Sequence, residues 1–265
     1  MSRTLRRASG VFGALHRRLI GPAPDMADFH VAQHDAALVA EARTVWHQRL
    51  VSEYRSVQIM TRFLTEVVNA GDPLDVYAGA VDLVQDEVRH TELCLAVCEA
   101  LGASTALPTP VALVDPEPFV RAPYEERALH TAIAMLAINE TLSTAFLEDL
   151  RARCDEPAIR RVLEATLADE SEHHAFGWAY VEASLARFPP AMRSDWRHLV
   201  EAVLRPHRQF VESTLPTLPR EARSLDAHPD EARVRLGLFS RARQALVLER
   251  ALDALLPRLR ALELA

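Results

Sequence analysis

The chain is poor in glycine and in aromatic residues. Only 8 of its 265 residues are glycine, and phenylalanine, tryptophan and tyrosine together make up 6%. Alanine, leucine, arginine and glutamate, which favour helices, are abundant instead. Aromatic residues are enriched in β-strands and glycine in tight turns, so their scarcity argues against a sheet-rich fold. We therefore expect an all-α protein.

Cysteine is also scarce, and positive charge is not in excess. Cys94, Cys98 and Cys154 are too few and too uneven in number for a disulfide framework. A reducing compartment fits this usage best, and we expect a cytoplasmic protein. Cys94 and Cys98 lie one helical turn apart, where a metal or redox pair is one interpretation and a pair of small core residues the favoured one. The formal net charge of -7 argues against a nucleic-acid partner.

Long apolar runs are missing as well. No segment approaches the roughly 20 apolar residues that span a bilayer. Residues 1–35 are predicted to form an N-terminal arm, which is basic up to Pro24 and contains an apolar stretch too short for a signal peptide. We expect a mobile arm or a short packing helix here. Binding to a membrane surface is the less favoured alternative, so no membrane partner is expected.

The remaining sequence predicts helices separated by breaks of unequal length. Four long helices are predicted within residues 36–187, with short turns near Gly71 and Asp155. The connection between the second and third helices, residues 103–123, contains five prolines and is long. Two antiparallel hairpins joined by one long crossover are the connectivity of a ferritin-like four-helix bundle. Residues 188–265 are predicted to form a C-terminal helical extension packed on this bundle, with a kink at Pro206.

Two Glu-x-x-His motifs, each with a glutamate about thirty residues upstream, are the main chemical feature of the chain. They comprise Glu53, Glu87 and His90 in the first hairpin, and Glu140, Glu170 and His173 in the second. In each hairpin the upstream glutamate and the motif lie at about the same distance from the turn, and every glutamate interrupts an apolar helical stripe. A single Glu-x-x-His is usually a solvated pair, but two matched sets on apolar faces predict convergent ligands.

Charge balance indicates that these six residues bind metal ions. A bare carboxylate in a protein core is strongly disfavoured, and four converging carboxylates would also repel one another. Two divalent cations would balance the four negative charges, with the two imidazoles as neutral ligands. We therefore predict a dinuclear site inside the bundle, in which the four glutamates are both metal ligands and catalytic residues. Mixed carboxylate and imidazole ligation suits iron, manganese and zinc.

Two aspartates are predicted to orient the histidine ligands. Asp86 and Asp169 each precede the glutamate of one motif. We expect Asp86 to accept the free ring N–H of His173, and Asp169 to accept that of His90, which would fix tautomer and ring orientation. An exposed aspartate on the helix surface is the alternative for each.

At these motifs the sequence resembles the ferritin-like di-iron carboxylate superfamily, and it is similar to the arylamine N-oxygenases and rubrerythrin-like proteins within it. The resemblance covers residues 36–187 and implies two iron ions bound by the six residues above, with Glu87 and Glu170 as bridging ligands. Two features depart from these relatives. Thr166 stands where the N-oxygenases have an extra histidine ligand, and the Cys-x-x-Cys pairs of full rubrerythrins are missing.

The favoured function is a di-iron oxidoreductase that uses dioxygen to hydroxylate, N-oxygenate or desaturate a small organic substrate. An external electron donor is expected, manganese is the alternative metal, and a homodimer is one expectation for the assembly. A ferroxidase or peroxide-scavenging protein is the alternative function, and it ranks second because no acidic nucleation patch is evident. Small residues beside the motifs, Ala137, Thr144, Thr166 and Gly177, would either leave room for dioxygen and substrate or allow close helix packing.

Overall fold

The computed structural model is all-α, as predicted, and it describes residues 2–108, 113 and 115–265. The α-helices run in the order α1 Gly10–Leu19, α2 Ala36–Ala70, α3 Leu74–Leu101, α4 Glu117–Arg121, α5 Tyr124–Thr131, α6 Glu140–Arg153, α7 Pro157–Leu185, α8 Arg193–Thr214, α9 Glu231–Val234 and α10 Arg241–Ala261. The long predicted helices thus lie within a few residues of their expected bounds. Every helix of the described residues is too short or too polar to cross a bilayer.

The chain forms two compact units. Unit 1 comprises residues 1–125, 155–166 and 235–237, and unit 2 comprises residues 126–154, 167–234 and 238–265. The division into an arm, a bundle and a C-terminal extension stays a prediction. Residue 1 of the predicted arm, and residues 109–112 and 114 of the predicted long connection, lie outside the described residues.

In unit 1, α2 and α3 form the predicted antiparallel hairpin. Asp35 caps the start of α2, because its side chain accepts hydrogen bonds from the backbone N–H groups of Ala37 and Leu38. Gly71 ends α2 and Gly102 ends α3, with φ of 72° and 65°, the left-handed conformation that favours glycine. These stops fix the length of both helices and hence the height of the residues that project between them.

The N-terminal arm is more ordered than the sequence predicted. Residues Ser2–Thr4 form strand β1, which pairs antiparallel with strand β2, Ala106–Pro108. The sequence analysis missed both strands because each contains only three residues and neither shows a period-two pattern. The short helix expected in the arm is present as α1.

In unit 2, the helix predicted over residues 124–154 is divided by a π-helical segment. Ala132–Asn139 is π-helical and separates α5 from α6, so α6 begins at Glu140. A π turn widens the helix by one residue and shifts the face on which following side chains lie. The π-helical segment ends directly before Glu140, a predicted ligand. An uninterrupted α-helical periodicity would therefore place Glu140 on the wrong face relative to the residues before it.

A buried ion pair between Arg243 and Asp149 connects the elements in the C-terminal part of unit 2. Arg243 of α10, 6% exposed, donates from Nε and Nη2 to the Asp149 carboxylate of α6 at 2.9 and 2.6 Å. Its Nη1 donates to the backbone carbonyls of Leu225 and His228 at 2.7 and 2.8 Å. One guanidinium thus fixes α10, α6 and the loop that precedes α9. Helix α8 continues through Pro206, where a kink was expected.

Candidate metal centre

The first Glu-x-x-His motif lies in the interior of unit 1. Glu87 and His90 of α3 are each 1% exposed, whereas the side chain of Glu53 on α2 is 21% exposed. His90 Nδ1 is 3.6 Å from Glu87 Oε2 and 3.9 Å from Glu53 Oε2. The α2–α3 hairpin therefore brings its three predicted ligands together, with both carboxylates facing the same ring nitrogen.

The second motif lies in the interior of unit 2 and repeats the close pair of glutamate and histidine. Glu170 and His173 of α7 are 3% and 1% exposed, and Glu140 at the start of α6 is 6% exposed. His173 Nδ1 is 3.5 Å from Glu170 Oε2. The distance within this motif agrees with that within the first to 0.1 Å, so the two halves of the chain present the same pair of ligand atoms.

The 3.6 and 3.5 Å separations within the two motifs are too long for hydrogen bonds and suit atoms that share a cation, and the 3.9 Å from His90 to Glu53 is slightly longer. Nitrogen and oxygen that hydrogen-bond lie about 2.7–3.2 Å apart. Two ligand atoms each about 2.1 Å from one ion are separated by roughly 3.0–3.6 Å for angles of 90° to 120° at the ion. Glu87 Oε2 is buried and makes no hydrogen bond to any described residue. A cation beside it would satisfy this oxygen.

All six predicted ligands belong to groups of glutamate and histidine side chains that could hold a metal ion, and they are the only such groups found in the described part of the chain. Asp86 and Asp169 are partly buried, and their pairing with His173 and His90 stays a prediction. Thr166 is 9% exposed, and its hydroxyl donates to the Val162 carbonyl of its own helix at 3.1 Å.

Arg49 is a charged neighbour of the first motif that the sequence analysis missed. It lies one turn before Glu53 on α2 and donates to the Gly237 carbonyl at 2.8 Å. Burial lowers the pKa of Arg49, and the negative charge of Glu53 opposes this shift. Its position four residues before Glu53 was the signal that could have identified it. A guanidinium here offsets part of the Glu53 charge.

Residues 236–237 form a hook over α2 beside Arg49. The indole Nε1 of Trp46 donates to the Leu236 carbonyl at 2.8 Å. Gly237 has a φ of 68°, and a Cβ at this position would lie 2.9 Å from the Trp46 ring. The hook therefore requires glycine, and it holds Trp46 and Arg49 in place one to two turns before Glu53.

Gly177 allows α7 to approach the π-helical segment closely. A Cβ built on Gly177 would lie 2.5 Å from the backbone carbon and the Cβ of Leu136. Gly177 comes four positions after His173, so the contact lies one turn beyond the predicted ligand. Nearby, Trp178 Nε1 donates to Thr141 Oγ1 at 3.0 Å, next to Glu140. Of the two roles considered for Gly177, close helix packing is the one that this contact supports.

Replacing Gly177 with alanine should destabilise the protein, although the same change inside most helices stabilises it by about 1 kcal/mol. The added methyl group would overlap the Leu136 backbone, and overpacking of this kind costs about 1–3 kcal/mol. Urea unfolding measures the effect. The exposed Ala179 on the same helix provides a control, because Ala179→Ser should change stability by no more than about 0.5 kcal/mol. A stabilised G177A would contradict the close packing.

The cysteines support the core interpretation. Cys94 and Cys98 are buried free thiols. Burial raises the pKa of Cys98 to about 11. Burial, with the charge of Glu53 adding to it, raises the pKa of Cys94 well above its usual range. Metal binding and redox chemistry both need the thiolate, which these surroundings disfavour.

Comparisons of the chain with models of known protein families, with curated proteins and with solved structures found no match. The chemistry of the centre must therefore be inferred from the geometry of its own residues.

Proposed function

We propose that the two motifs together form a dinuclear metal centre inside a ferritin-like four-helix bundle built from α2, α3, the helix ending in α6, and α7. One ion would be held by Glu53, Glu87 and His90, and the other by Glu140, Glu170 and His173. The observation that carries the proposal is the repeated pair of a buried glutamate oxygen and a buried histidine Nδ1, separated by 3.6 Å in one motif and 3.5 Å in the other.

The donor set fits two divalent cations. Four carboxylates supply four negative charges, and two neutral imidazoles complete the set without adding charge. Five of the six side chains are no more than 6% exposed, a burial that bare carboxylates tolerate poorly. Glu53 is the most exposed of the six and has Arg49 beside it. It is therefore the ligand best placed to shift without leaving an uncompensated buried charge.

The proposed activity is oxidation of a small organic substrate by dioxygen. Two bound irons would supply the electrons and the open coordination that dioxygen chemistry needs. The protein's own residues would hold the ions, keep bulk water from the ligands through burial, and fix the helices that carry them. An external electron donor would restore the reduced state. Chain beyond the four helices, mainly α8 and α10, exceeds what a storage bundle requires and favours the substrate-oxidising function over a ferroxidase.

Anaerobic titration of the metal-free protein with Fe(II) tests the proposal. We expect saturation at about two ions per chain, followed on exposure to air by oxygen uptake that stops unless an electron donor is supplied. Continued iron uptake beyond two ions would indicate the ferroxidase instead. Saturation well below two ions with Fe(II), and likewise with Mn(II), would overturn the dinuclear centre.

A further inference from the structure

Helix α1 leaves its large apolar side chains exposed to solvent. Val11, Phe12, Leu15 and Leu19 are 73%, 74%, 39% and 52% exposed. With 3.6 residues per turn, these four lie within an arc of about 100° and form one continuous stripe. Gly13 is the buried residue of this helix, and it lies on the opposite side. A surface helix normally buries its apolar stripe, so this orientation is reversed.

Polar contacts hold the arm in this orientation. Arg7 donates to Glu92 at 2.6 Å and to Glu99 at 2.8 Å, and His16 Nε2 lies 3.6 Å from Glu92. Between the arm and α3 is a cavity of about 440 Å³, at whose edge Phe12 lies and which Val88 and Leu95 of α3 also line. The arm is therefore attached to α3 by charged groups, and the apolar stripe contributes little to holding it.

The charge around the stripe is positive. The arm contains five arginines and no acidic residue before Asp25, although the whole chain has a formal net charge of -7. Arg3, Arg6, Arg17 and Arg18 are exposed. None of these four has an acidic partner among the described residues. Arg18 lies two turns after Val11 and only about 20° from it around the helix, so it borders the apolar stripe, whereas Arg17 lies on the side of Gly13.

We propose that α1 binds in the surface of an anionic membrane, with Val11, Phe12, Leu15 and Leu19 inserted among the lipid chains and Arg18 on the headgroups. An apolar stripe bordered by basic residues is the pattern of interfacial helices. A second copy of the chain fits this face less well, because a two-fold contact would bring the exposed arginines of two arms together. The sequence alone favoured a packing helix, and the exposures reverse that preference.

Flotation of the full-length protein with vesicles tests this proposal independently of any metal. We expect binding to phosphatidylcholine vesicles that contain phosphatidylglycerol, much weaker binding to phosphatidylcholine alone, and a marked loss at high salt. The double variant F12S/L15S should lose about tenfold or more in affinity, because each inserted side chain contributes strongly to partitioning. Arg18→Gln should weaken binding to anionic vesicles several-fold.

The matched control changes two exposed apolar residues elsewhere. Val68 and Val81 are 47% and 52% exposed, and V68S/V81S should bind vesicles as the unchanged protein does. Equal binding of F12S/L15S and the unchanged protein would overturn the proposal. So would failure to bind anionic vesicles, or sedimentation showing self-association that disappears in F12S/L15S.

Discussion

Replacing His173 with glutamine is expected to lower the amount of tightly bound Fe(II) from about two ions per chain to about one. The substitution removes the imidazole of one proposed ion and leaves His90, the imidazole of the other, in place. Loss of a single ligand should weaken binding at the affected position by about a hundredfold or more. His90→Gln should give the same stoichiometry, since its Nδ1 has the same relation to Glu87 as that of His173 has to Glu170. Anaerobic equilibrium dialysis with metal analysis measures both.

The neighbouring histidine provides a matched control. His174 is next to His173 in sequence but about 100° around the helix, and His174→Gln should still bind about two ions. Two ions bound by H173Q would show that His173 is not a ligand. Circular dichroism of the metal-free variants separates a loss of binding from a loss of folding.

The effect of Glu87→Gln on stability should have opposite signs in the absence and in the presence of metal. Without metal, the buried Glu87 carboxylate opposes folding, so the neutral amide should stabilise the protein. With metal bound, the same change removes a ligand charge and should destabilise it. Thermal melts with and without Fe(II) measure this reversal of sign, and a purely structural glutamate would not show it.

Replacing Arg243 with methionine is expected to destabilise the protein by about 3 kcal/mol or more. The change leaves the Asp149 carboxylate with Arg153 as its remaining cation, at 2.6 Å. It also removes the donor from two backbone carbonyls. Urea unfolding near neutral pH measures the loss. Arg208→Met is the control, because Arg208 pairs with Glu201, which is 51% exposed, and such surface pairs contribute at most about 1 kcal/mol.

The cost of Arg243→Met should depend on pH. Burial opposes ionisation of Asp149, but hydrogen bonds and positive charge from Arg243 and Arg153 outweigh it and lower its pKa below the ordinary 3.8. A carboxyl with a lowered pKa in the folded state stabilises above its unfolded pKa, and that contribution disappears as pH falls through the folded value. The difference between R243M and the unchanged protein should therefore be full near neutral pH and shrink below pH 3.8. A stability difference that does not change with pH would show that lost packing, and not the charge of Asp149, causes the destabilisation.

The helices could be predicted from sequence because their stops are local. Gly71 and Gly102 end α2 and α3 through backbone conformations that belong to the glycine itself. The burial of Glu87, His90, Glu170 and His173 was likewise predictable, since an apolar stripe with a polar interruption is visible in helical periodicity.

What could not be predicted depends on contacts between distant parts of the chain. The π-helical segment before Glu140 has a composition that an α-helix could also have. The contact that accompanies it, between Gly177 and Leu136, joins residues 41 positions apart. The outward orientation of α1 was equally hidden, because a helical stripe shows that an apolar face exists but not which side of the helix meets the protein.

The hook of residues 236–237 has a consequence for the order of folding. Trp46 and Arg49 find their acceptors 190 and 188 residues later in the chain. During synthesis α2 and α3 can pair long before the hook has left the ribosome, so the Trp46 indole and the Arg49 guanidinium spend that interval exposed to water or to chaperones. Closure of so long a loop is entropically slow. We expect a late folding phase reported by Trp46 fluorescence, and a nascent chain that is vulnerable to aggregation until residues 236–237 have emerged.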